Sequence, residues 1–112
     1  MSVQDNGVVD IISIESQSGD VVLTVSDHLD WLDSIAHQEI LQKKLNRYLA
    51  FVESGELLER YPDAKGRSVV IRVVLKFAPD VGGREFLGRA GAVVASAGIG
   101  FRHEIFAGSC DN

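Results

Sequence analysis

Between Ser26 and His37 the chain reads Ser-Asp-His-Leu-Asp-Trp-Leu-Asp-Ser-Ile-Ala-His, its densest run of polar and titratable side chains. Imidazole and carboxylate groups are the ligands of zinc and other first-row metals. Asp33 and His37 stand four apart and share a face of any helix that contains them, and His28 and Asp30 can approach from a preceding loop. Taken together, His28, Asp30, Asp33 and His37 describe a small metal-dependent hydrolase or isomerase. The spacing nevertheless matches no zinc signature of the His-Glu-x-x-His kind. The same residues are also what a helix N-terminus requires, because carboxylates and hydroxyls satisfy its unpaired amides and its dipole. On that plainer reading Asp27, Asp30, Asp33 and Ser34 serve the helix N-terminus and Trp31 is a core anchor. His28 is then an exposed strand-end residue, and His37 a solvated first-turn residue. Capping is the favoured reading, with no metal and no cofactor expected. A third reading makes His28, Asp30, Trp31 and His37 a partner-binding surface.

Other suggestive patterns lack their working parts. Gly83-Arg84-Glu85-Phe86-Leu87-Gly88-Arg89-Ala90 has Arg89 and Ala90 where a phosphate loop needs Lys and Ser or Thr, and Glu85 would repel phosphate. Gly98-Ile99-Gly100 lacks the third glycine and the following helix of a dinucleotide fingerprint. Ser26-Asp27-His28 contains three triad residue types, but a triad converges from separate segments. No Gly-x-Ser-x-Gly elbow occurs. His103 falls on the apolar side of its strand and reads as a core-rim residue. Cys110 is the single cysteine, so no internal disulfide can form and nothing argues for an oxidising compartment.

The elements that must position these residues follow from hydrophobic period. Val8–Ile14 and Val21–Ser26 flank the turn Gln17-Ser18-Gly19-Asp20, which predicts a β-hairpin. Leu41, Leu45, Tyr48, Leu49 and Val52 recur at threes and fours, which predicts a helix over about 33–54 ended by Gly55. Glu56–Tyr61 predicts a further helical turn stopped by Pro62. Ser68–Phe77 alternates as a strand, with Val69, Ile71, Val73, Leu75 and Phe77 on one face. A helix over about 83–97 carries Phe86, Leu87, Ala90, Val93 and Val94 inward. Its small residues Gly88, Gly91, Ala92 and Ala95 suggest close approach to a sheet, and Ile99–Phe106 is the last strand. The expected class is α+β. It is a two-layer sandwich of four strands with two helices on one face, in the order β-β-α-β-α-β. All 112 residues read as one domain with flexible ends at 1–7 and 107–112.

A net charge of −5 repels nucleic-acid phosphates and anionic lipid. The N-terminus has no basic segment followed by an apolar one, so no signal peptide is expected, and no stretch is apolar for long enough to span a bilayer. The expected partners are therefore proteins, in the cytoplasm. On the sheet face away from the helices, Val22 and Thr24 adjoin Val70 and Val74 in an apolar patch flanked by Arg72 and Lys76. Val22, Val70, Arg72, Val74 and Lys76 are the expected interface of a two-fold homodimer.

Six segments carry a resemblance over nearly the whole chain. They are Asp10–Ile14, Ser26–Trp31, Leu45–Leu49, Glu53–Glu56, Tyr61–Gly66 and Phe101–Phe106. In these the chain resembles a family of small bacterial proteins built on a single domain of unknown function. The resemblance implies a bacterial origin and a stand-alone domain; the family has no assigned activity, so it assigns no role to any residue. The leading functional expectation is a non-enzymatic protein-binding module, an immunity-type inhibitor or regulatory partner. The metal-dependent enzyme is the alternative.

Overall fold

A computed structural model describes residues 11–106. Val8–Asp10, both chain ends and Cys110 lie outside the described residues. Four strands, β1 (Ile11–Ile14), β2 (Val21–Asp27), β3 (Val69–Leu75) and β4 (Gly100–Ile105), form one sheet in the order β1-β2-β3-β4. β1 pairs antiparallel with β2 across the predicted turn, where Gly19 takes a left-handed φ of 76°. β2, β3 and β4 are mutually parallel. Parallel neighbours need long crossovers, and helices supply both. These are α1 (Ser34–Glu53), followed by the short α2 (Glu56–Arg60), and α3 (Val81–Ser96). Both crossovers step across the sheet in the same direction, and right-handed connections then put α1 and α3 on the same face.

The inward faces meet as the alternation requires. Leu23, Val25, Ile71, Val73 and Leu75 of the sheet are buried with Leu41, Leu45, Tyr48 and Phe51 of α1 and Phe86, Leu87, Ala90 and Val94 of α3. The Tyr48 hydroxyl donates to the Thr24 carbonyl at 2.9 Å, so this buried phenol is satisfied. Gly55, at φ 88°, ends the α1 region as expected and leads into α2.

Four details differ from the reading above. Val93 and Phe77, both expected on inward faces, are exposed: the buried stripe of α3 runs through Phe86, Leu87, Ala90 and Val94, and β3 ends at Leu75 before Phe77. The second long helix starts at Val81, two residues earlier, because Asp80 caps it by accepting from the Gly83 amide at 2.7 Å. Of the small residues in α3, only Gly91 meets the sheet closely, where an added Cβ would stand 3.2 Å from the Phe101 ring. Gly88 has open space around it, and Ala92 and Ala95 are exposed. His103 is exposed rather than seated at the core rim, because β4 is an edge strand that α3 does not cover to its end.

Candidate functional site

The junction from β2 to α1 folds around a buried polar pair that sequence reasoning did not anticipate. Asp27 continues the inward alternation of Val21, Leu23 and Val25, and His37 stands one turn before Leu41, so both point into the core. Each is 2% exposed. His37 Nε2 lies 2.5 Å from Asp27 Oδ2, and Nδ1 lies 2.8 Å from the Asp30 carbonyl oxygen. A carbonyl only accepts, so Nδ1 carries a hydrogen and donates it to Asp30. Two acceptors cannot share so short a contact, so the Asp27–His37 contact holds one further proton. The pair is neutral overall whichever atom carries that proton. The other Asp27 oxygen, Oδ1, accepts from the Leu29 amide at 3.1 Å.

Trp31 closes this pair from outside. Its ring stacks on His37, with centroids 3.7 Å apart and planes 22° from parallel, and Nε1–H donates to the Phe77 carbonyl at 3.2 Å. Gly83 permits this. A Cβ there would stand 2.7 Å from the indole and 3.0 Å from Pro79. Asp27, Trp31 and His37 therefore bolt the end of β2 to the first turn of α1 and to the connection between β3 and α3.

The expectation that His37 is a solvated first-turn residue is overturned, because its ring is the inner half of the Asp27 pair. Trp31 is half-buried against the core, as an anchor should be. Capping is observed at Asp33, whose Oδ1 accepts from the Ala36 amide at 3.1 Å. Asp30 instead closes a local turn, accepting from the Leu32 amide at 3.1 Å. Ser34 donates to Asp80 at 3.0 Å, which ties the starts of the two long helices together. His28 is exposed on the far side of the sheet. The four residues of the metal reading thus point in separate directions. Among the described residues, no group of three His, Cys, Asp or Glu side chains is placed to hold a metal. The pair itself has no free ring nitrogen or carboxylate oxygen to offer a substrate.

No described helix covers the opposite face of the sheet. Register puts Val22 beside Val70, Thr24 beside Arg72, and Ser26 beside Val74 there, as expected. Its apolar patch is smaller than expected, because Val22 and Thr24 are only 4% and 6% exposed within the single chain. Val70 and Val74 are half-buried, whereas Ile11 and Phe106 stand exposed. Two ion pairs lie on this face. Arg72 reaches Glu104 through Nε and Nη2, both at 3.0 Å, and Arg102 reaches Glu15 at 3.4 Å. The bidentate bond from Arg72 holds the Glu104 carboxyl below its ordinary value and raises Arg72 in turn. A hydrogen bond from Ser18, and then the charge of Arg102, lower Glu15. Toward the carboxyl ends of β2, β3 and β4, this face opens into a cleft of about 610 Å³. Ser26, His28, Arg72, Val74, Lys76 and Phe106 line it, with Asp27 at its margin.

No helix among the described residues is long and apolar enough to cross a membrane. No curated protein and no solved structure matches the sequence. Residues 1–107 match a family of unknown function, DUF6572, and the chain belongs to that family.

Proposed function

We propose that this chain is a non-enzymatic protein-binding module of the cytoplasm whose working surface is the open face of its sheet. An immunity-type inhibitor or a regulatory subunit is the form of module that its acidity suits, since acidic surfaces associate fast with basic partners. The observation that carries the reading is the make-up of that face. Partly buried Val70 and Val74 share that face with exposed Ile11 and Phe106, with Arg72, Lys76 and Arg102, and with two glutamates.

With Lys76 the face carries three cations and two glutamates on a chain whose net charge is −5. Both signs are present on it, and a second copy is the first partner to test. Across a two-fold axis Arg72 and Arg102 can pair with the other copy's glutamates, with Val70, Val74 and Lys76 in the same interface, whereas Val22 is already buried within its own chain. Light scattering at micromolar concentration tests this. A mass twice the 12.2 kDa of one chain, reduced to one chain by Val74→Glu, is the expected result. A single-chain mass throughout that range would refute self-association.

A further inference from the structure

We propose that the cleft at the carboxyl ends of β2, β3 and β4 binds a small organic anion, an apolar or aromatic body carrying a carboxylate. Three parallel strands, β2, β3 and β4, end side by side here. Strand parity puts Ser26, His28, Arg72, Val74 and Lys76 on the open side of the sheet, and Phe106 continues the outward parity of β4. The volume of about 610 Å³ falls within the usual range of roughly 300–1,000 Å³ for small-molecule sites.

The lining divides by chemistry. Val74 and Phe106 offer an apolar wall, and Phe106 is 52% exposed, so its ring is available as a platform. His28, Arg72 and Lys76 supply donors of cationic or potentially cationic character. Lys76 pairs with no carboxylate among the described residues, and its ammonium group lies 5.6 Å from the centre of the Phe77 ring. Arg72 commits Nε and Nη2 to Glu104, and among the described residues Nη1 has no hydrogen-bond partner. Two carboxylates adjoin the cleft. Glu104, in register beside Val74, is taken up by its two bonds to Arg72, and Asp27 is wholly buried with its oxygens occupied by His37 and the Leu29 amide. Lys76, the Nη1 group of Arg72 and the His28 ring leave N–H donors for an anion at this point of an acidic chain, and the apolar wall asks for more than phosphate alone.

All the lining residues come from one chain, so the cleft does not depend on self-association. The test is an amide chemical-shift titration of the ¹⁵N-labelled full chain with 2-naphthoate, beside its neutral analogue 2-naphthalenemethanol and inorganic phosphate. The expected result is saturable shifts at Ser26, His28, Val74, Lys76 and Phe106 with 2-naphthoate. Lys76→Gln should weaken binding roughly tenfold, the effect of losing one charge-assisted hydrogen bond. His28→Gln should weaken it less. Shifts confined to α1 and α3, equal affinity for the neutral analogue, equal affinity for phosphate, or indifference to Lys76→Gln would each overturn the proposal. Light scattering on the same samples separates this idea from the dimer. Saturable shifts at a mass of 12.2 kDa uphold the cleft and end the dimer, and a dimer without saturable shifts does the reverse.

Discussion

His37 Nε2 and Asp27 Oδ2 lie 2.5 Å apart in the core, ten residues distant in sequence, and the contact joins the last residue of β2 to the first turn of α1. Every polar atom of the two side chains has a partner, so the pair is a satisfied network. Such networks define one arrangement of a core and penalise its alternatives.

Removing one member should therefore cost more than an ordinary buried hydrogen bond. Asp27→Ala leaves His37 buried with Nε2 unpartnered, and the expected loss is about 3–5 kcal/mol, the cost of breaking a buried pair from one side. Replacing both, as Asp27→Leu with His37→Leu, should recover part of that loss, since neither side chain is then stranded and only the Leu29 amide and the Asp30 carbonyl lose a partner. Urea unfolding of the single and double variants measures the coupling. A double variant whose loss equals the sum of the two singles would show that the residues act independently.

The helix boundaries and the inward faces were legible because hydrophobic period reports burial directly. Leu41, Leu45 and Tyr48 mark the buried stripe of α1 without reference to anything distant. Strand order and parallelism were not legible, because they depend on which edges meet after two helical crossovers. The Asp27–His37 pair was missed for a related reason. Its residues were sorted with neighbouring polar residues, Asp27 with the capping aspartates and His37 with the solvated first turn. The signal that would have separated them is periodicity, since Asp27 sits in the inward phase of β2 and His37 precedes Leu41 by one turn. The smaller open-face patch has another cause. Alternation placed Val22 and Thr24 on that face correctly, but it carries no information about how much of them the finished sheet leaves exposed.

Two aspartates three residues apart have different tasks, and substitution should separate them. Asp33→Ala removes the side chain that accepts from the Ala36 amide at the start of a helix of 20 residues, and should cost about 1 kcal/mol. Asp30→Ala removes only the turn contact to Leu32, while its backbone carbonyl stays available to His37. Its loss should be the smaller of the two. Thermal unfolding of both variants decides the order, and a larger loss at Asp30 would contradict the capping assignment.

The Arg72–Glu104 pair makes a pH prediction. Glu104 is lowered in the folded chain from its ordinary value of 4.5, chiefly by the hydrogen bond from Arg72. The unfolded chain lacks that bond and takes up its proton at higher pH. The stabilising contribution is therefore fully present above the ordinary value and is lost as pH falls through the lowered one. Both groups are largely solvated, so the effect on stability is small and screened by salt. The titration itself is the sharper measurement. Side-chain carboxyl NMR should find Glu104 below its ordinary value, and Arg72→Met should return it toward that value. An unchanged Glu104 in the Arg72 variant would remove the pair as the cause.

Two glycines in α3 should respond in opposite directions to the same substitution. Gly83 faces the Trp31 indole, where a Cβ would come within 2.7 Å of one ring carbon and 2.9 Å of another. The indole cannot simply turn away, because its Nε1–H is held by the Phe77 carbonyl and its face is stacked on His37. Gly83→Ala should therefore cost on the order of 1–3 kcal/mol, the usual penalty of overpacking. It should also disturb the Trp31 fluorescence, which a loss of helix propensity alone would not do. Gly88 lies in the middle of the same helix, exposed, with nothing within 4 Å of an added Cβ. There the alanine gains helix propensity without a clash, and Gly88→Ala should stabilise by about 0.5–1 kcal/mol. Measured side by side in urea, the two variants separate packing from propensity within one helix. A Gly83→Ala variant as stable as Gly88→Ala, with unchanged Trp31 emission, would mean that Trp31 is not locked against α3.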